Sequence, residues 1–150
     1  MLGVFSLSFM IFALPAGFIG AKLGRKKTIR LGLSIIVICL LAVILLSRLF
    51  TGTMLLNLLY VMFALSGTGW ALVNVNSLPM VVDMTKVEKV GGYTGLYYFF
   101  SMAANIVAPP LAGAFIDFLG YRSLFAFSIV FLLASYMTMS SVKRGERAET

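Results

Sequence analysis

The chain is 150 residues long, 61% hydrophobic and only 11% charged, with a mean hydropathy of +1.03. A water-soluble domain carries fewer apolar and more charged residues, so this balance indicates an integral membrane protein. The net charge of +7 does not point to nucleic acid, because the cations cluster beside apolar runs, where they set topology and meet anionic lipid.

Five apolar runs, at about 2–21, 31–47, 54–82, 93–119 and 121–142, are each near or above the ~20 residues that cross a bilayer as a helix. Membrane strands would alternate apolar with polar residues, whereas 31–46 is apolar on every side. The expectation is an all-α integral membrane protein. The first run has no basic residues ahead of it and several behind it, the reverse of a secretory signal, and reads as a span.

Between the first two runs lies GFIGAKLGRKK, residues 17–27, a glycine-spaced basic turn. The run 31–47 has only Ser34, Cys39 and Ser47 among aliphatic residues, as a peripheral, lipid-facing helix would. Cys39, the single cysteine, can form no internal disulfide and reads as a small core residue.

The third run differs. It contains Ser66, Gly67, Thr68, Gly69, Trp70, Asn74, Asn76, Ser77 and Pro79, polar groups that hydrocarbon penalises unless they face protein or a wet cavity. Trp70, Asn74 and Ser77 stand at i, i+4 and i+7 on one helix face. Amide and hydroxyl groups match sugar hydroxyls, and an aromatic ring covers the apolar face of a pyranose. The same residues could instead tie neighbouring helices together. At the end of this run Asp83 has two readings, an ion pair with Arg25 or Lys26 that latches one end of the bundle, or a solvated carboxylate among Lys86, Glu88 and Lys89.

The fourth run repeats the polar arrangement with Tyr97, Ser101 and Asn105 at i, i+4 and i+8, and Tyr98 alongside. Pro109 and Pro110 remove two backbone donors, and with Pro79 they are candidate hinges or static bends. Gly91, Gly92 and Gly95 allow close helix entry or a hinge, and close packing is the favoured use. The fifth run, rich in Phe, Leu and Met, reads as lipid-facing, and 143–150 as a hydrophilic cytoplasmic tail.

Ten of the twelve Lys and Arg residues fall in the first and third loops and the tail, leaving Arg48 and Arg122 in the others. The excess of positive charge on the cytoplasmic side places the N-terminus outside and the C-terminus inside. An offset of 96 superposes Gly17, Gly24 and Lys26 on Gly113, Gly120 and Arg122, with opposite directions of crossing, as in an inverted repeat. Three-helix units then leave the first unit without its opening helix, and the chain looks truncated.

With these residues the chain resembles the major facilitator superfamily. Its cytoplasmic signature runs Gly, three residues, an acid, a base, one residue, Gly and further bases. Gly17, Lys22, Gly24, Arg25, Lys26 and Lys27 match it, while Ala21 stands where the acid is usual, a departure more typical of the second half. The block 91–127, with the segment 69–84, is similar to bacterial sugar:cation symporters of the sucrose-transporter type. The resemblance implies five transmembrane helices of a six-helix C-terminal half, partnered by a missing N-terminal half in the plasma membrane. It also favours the Asp83 latch, since the family uses a comparable pair, and implies secondary transport of a sugar with a coupled proton or sodium ion.

Binding would fall to Trp70, Asn74, Ser77, Tyr97, Tyr98, Ser101 and Asn105, and gating to Gly17, Gly24, Arg25, Lys26, Lys27 and Asp83. No ionisable residue lies deep in a span, so a coupling acid would belong to the missing half. The chain has no histidine, no metal-spaced cysteines and no phosphate-binding loop, so no enzyme activity, metal or cofactor is expected. The alternatives are an efflux carrier of the same fold, in keeping with nine Met and thirteen Phe, or an inert truncated fragment.

Overall fold

A computed structural model describes residues 1–142, and the expected tail, 143–150, lies outside the described residues. Five helices follow one another: α1 Leu2–Leu23, α2 Arg25–Leu49, α3 Gly52–Asp83, α4 Val90–Leu119 and α5 Ser123–Ser141, with one 3-10 turn at Val87–Lys89 before α4. There is no strand among the described residues. All five are long and apolar enough to cross a membrane.

The basic stretch is not the loop that the sequence suggested. Only Gly24 separates α1 from α2, and it takes φ 92°, a region that favours glycine. Thr28 then bonds its hydroxyl to the Gly24 carbonyl at 2.9 Å, and Arg25, Lys26, Lys27 and Arg30 all belong to α2. Lys and Arg are good helix formers, so charge ends the apolar run without ending the helix.

Helix α3 is the centre of the bundle, packed against α1 on one side and α2 on the other. Glycines set both crossings. A β-carbon on Gly32 of α2 would come within 2.5 Å of the Gly69 carbonyl oxygen on α3, and one on Gly67 would overlap the Phe5 carbonyl of α1. Close backbone approach of this kind holds helices together where lipid removes the hydrophobic drive. Helix α2 therefore is not the peripheral span expected: it buries Thr28, Ile29, Gly32, Leu33 and Cys39, because a nearly uniform apolar sequence conceals which stripe carries the glycine.

Helix α5 leans on the Gly24 end of α2, where Leu132, Tyr136, Met139 and Val142 pack around Ile29, Leu33 and Met80. Towards the other end of α5 lies an apolar cleft of about 500 Å³ bordered by Phe5, Cys39, Phe63, Ser66, Phe125 and Leu132. Helix α4 buries no residue. It is joined to α5 by the Gly120 turn, a Phe115–Phe127 ring pair and a 2.9 Å bond from the Ser123 hydroxyl to the Phe115 carbonyl. Among the described residues Gly91, Gly92 and Gly95 pack against no neighbouring helix, since beyond their own helix backbone nothing lies within 4 Å of where their β-carbons would be. Gly113 is equally open.

Candidate functional site

Consecutive residues of an α-helix point about 100° apart. The first turn of α2 uses that geometry to reach two helices at once. Arg25 Nε donates to Asp83 Oδ2 at 2.6 Å, bridging α2 to the last residue of α3, with both side chains about a quarter exposed. Lys26 turns the other way and donates to the carbonyl oxygens of Ser140 at 3.0 Å and Val142 at 2.5 Å. These carbonyls close α5, where orphan acceptors and the negative end of the helix dipole favour a cation.

One turn further on, Arg30 Nη2 donates to the Tyr136 hydroxyl at 2.8 Å, and the guanidinium carbon lies 4.9 Å from the ring centroid. Arg30 Nε is buried and has no acceptor among the described residues. Lys22 and Lys27 are exposed and make no side-chain bond among the described residues. Of the two Asp83 readings, the geometry is that of the ion pair with Arg25. The engagement of Lys26 and Arg30 with α5 was not legible, because nothing in residues 121–142 identifies the helix that α2 will touch.

Gly17, a member of the glycine pattern, faces Val75 at ordinary van der Waals distance. The more demanding glycine is Gly20, where a β-carbon would overlap the carboxamide of Asn76. Asn76 is fully buried, and its Nδ2 donates to Ala16 O at 3.0 Å and Leu72 O at 2.9 Å. Its Oδ1 has no partner. Sequence reasoning singled out Asn74 and passed over Asn76, two residues on and therefore on the opposite face of α3. The signal available was the Gly20 position on α1, but spacing within one helix does not say which neighbour it meets.

The residues proposed for binding lie on less crowded faces. Trp70 is 40% exposed, Asn74 is exposed, and Ser77 turns its hydroxyl back to Val73 O at 2.6 Å. On α4, Tyr97 and Tyr98 meet edge to face at 5.4 Å between centroids, Ser101 is half-buried and Asn105 is exposed. No hydrogen bond joins the α3 trio to the α4 residues among the described residues, and none of the seven borders the apolar cleft. Pro79, Pro109 and Pro110 all lie inside continuous helices, α3 and α4. No cluster of potential metal ligands occurs among the described residues.

Comparison with known proteins adds a family to this geometry. The model of the Major Facilitator Superfamily matches residues 1–149. An MFS-type transporter, ppzB, from Metarhizium rileyi is 29% identical over 123 residues, which cover 82% of this chain and 24% of that protein. The chain thus spans about a quarter of the length of that relative. No solved structure matches.

Proposed function

Because this chain belongs to the major facilitator superfamily, we propose that it forms part of a carrier that moves a small polar solute, a sugar with a coupled proton or sodium ion, across the plasma membrane by alternating access. The observation that carries this reading is the face of α3 bearing Trp70 and Asn74. Its opposite face is packed against α1 and α2, yet this one leaves an indole and an uncapped amide open in a helix long enough to span the bilayer. An amide facing hydrocarbon is costly, and a wet cavity lined by another part of the carrier removes that cost. Tyr97, Tyr98, Ser101 and Asn105 supply similar groups from α4.

The rest of the carrier has a place to dock. Helices α4 and α5 bury no residue, whereas α3 sits against both α1 and α2. Inverted-repeat symmetry would set a further helix against α4 and α5, completing a six-helix half that pairs with an N-terminal half. The positive charge at the Gly24 end makes that end cytoplasmic, and there Arg25–Asp83 acts as a latch that breaks when the halves rock.

Uptake of labelled sucrose and related disaccharides into vesicles bearing the protein from its full reading frame tests the reading, with Asn74→Ala and Asn105→Ala beside the parent. Gradient-dependent uptake lost in both variants supports it; uptake indifferent to both changes, or absent with every sugar, sinks it. One observation favours a second reading, efflux of apolar compounds: the cleft beside α5 is lined mainly by Phe, Met and aliphatic side chains, with Ser66, Ser128 and Cys39 among them. Sugar-insensitive transport of a lipophilic cation would select it.

A further inference from the structure

Arg25 and Lys26 are sequence neighbours, yet they hold different helices. We propose that Lys26 and Arg30 are positioning residues that fasten the end of α5 to the Arg25–Asp83 latch, so that breaking the latch on α3 loosens the last turn of α5. The inference rests on the reading of Arg25–Asp83 as a latch and extends it to a third helix.

Arg25 reaches Asp83 at 2.6 Å across 58 residues of sequence, and Lys26 reaches Ser140 and Val142 across 114 and 116. Because the two side chains leave one rigid helical turn, α2 cannot rotate about its axis without straining both attachments. Arg30, i+4 from Lys26 and on the same face, adds a second hold through Tyr136 that resists slip of α5 along α2. The carbonyls that Lys26 bonds have no acceptor duty inside α5, so among the described residues the ammonium caps them and its loss frays the helix end. Gly24, the sole residue between α1 and α2, lets this turn begin at once after α1. In this arrangement the ends of α2, α3 and α5 move as one body, and a change at Asp83 reaches α5 without any contact between Asp83 and α5.

A parallel route exists, since Met80 of α3 packs directly against α5 residues. The test therefore uses a cycle. Amide hydrogen exchange is followed separately over 79–83 and 136–142 in the full-length protein in nanodiscs, for the parent, Asp83→Asn, Lys26→Met and the double variant. Lys26→Met should raise exchange over 136–142 about tenfold, the effect of losing hydrogen bonds from a charged donor. Asp83→Asn should raise it about threefold in the parent background and not at all in the Lys26→Met background. Lys26→Arg should restore protection, and Tyr136→Phe should raise exchange over 136–142 by a smaller factor.

If Asp83→Asn loosens 79–83 but leaves 136–142 unchanged, the coupling is overturned and the latch stands. If it loosens neither, the latch reading fails and takes the coupling with it. An undiminished effect of Asp83→Asn in the Lys26→Met background assigns the route to Met80 and overturns the role of Lys26.

Discussion

The carboxamide of Asn76 on α3 occupies the volume in which a β-carbon on Gly20 of α1 would lie. The two residues fix the register of α1 against α3, because Asn76 also donates to the carbonyl of Ala16, one turn before Gly20. Gly20→Ala should cost about 1–3 kcal/mol of stability by overpacking. Asn76→Ala alone should cost about 1–2 kcal/mol, since it removes two bonds but also a buried oxygen without a partner. The double variant should cost less than the sum, and denaturant titration in detergent measures this non-additivity. Strict additivity would mean that the two do not meet.

Glycines that look alike in sequence should respond in opposite ways. Gly32→Ala drives a methyl group against the Gly69 carbonyl, a backbone atom that can yield only by moving α2 away from α3. A loss of about 1–3 kcal/mol is expected. Gly92→Ala or Gly95→Ala meets open space and should be neutral or raise helix stability by up to about 1 kcal/mol. Thermal unfolding of the three variants side by side checks the contrast.

Cys39 provides the reporter for such measurements. It is the single cysteine, 3% exposed, on the α2 face that borders the cleft. A water-soluble maleimide should label it at least about a hundredfold more slowly in the folded protein than in SDS, because the thiol is kept from water and base. Rapid labelling of the native protein would place α2 in another orientation.

Asp83→Asn should leave global stability within about 1 kcal/mol, as the ion pair is partly exposed and such pairs contribute little. Its effect should appear in the balance between inward-open and outward-open forms, read as greater labelling of a cysteine introduced at the Gly24 end. The exchanged pair Arg25→Asp with Asp83→Arg should restore the parent pattern. Failure of the exchange to restore it would show that charge pairing is not what the contact supplies.

Asn74→Ala and Asn76→Ala should separate function from folding. The first removes an exposed amide and should abolish transport with a stability change of less than about 0.5 kcal/mol. The second should do the reverse, lowering stability while leaving residual transport in the folded fraction. Transport assays paired with the Cys39 reporter distinguish them, and the opposite assignment would move the site to the α1–α3 crossing.

The sequence by itself determined that the chain is helical and membrane-spanning, that it has five spans, and that cations gather at alternate ends, since each follows from composition summed along the chain. Hydropathy measures how far an apolar run extends, which is why the helix ends fell within a few residues of expectation at α1, α3, α4 and α5. The start of α2 was missed because Arg and Lys leave hydrocarbon without leaving the helix. Tertiary structure alone decided which face of each helix meets a partner. In a run such as 31–47 every side is apolar, so nothing along the chain marks the stripe at Gly32 and Cys39 that packs inward. The Asp83 pairing was half legible: the sequence offered it beside a solvated carboxylate among Lys86, Glu88 and Lys89, and the folded bundle sets it against Arg25 at the same end. The choice between Asn74 and Asn76, and the reach of Lys26 to α5, depended on helices more than fifty residues away, and only packing brings those together.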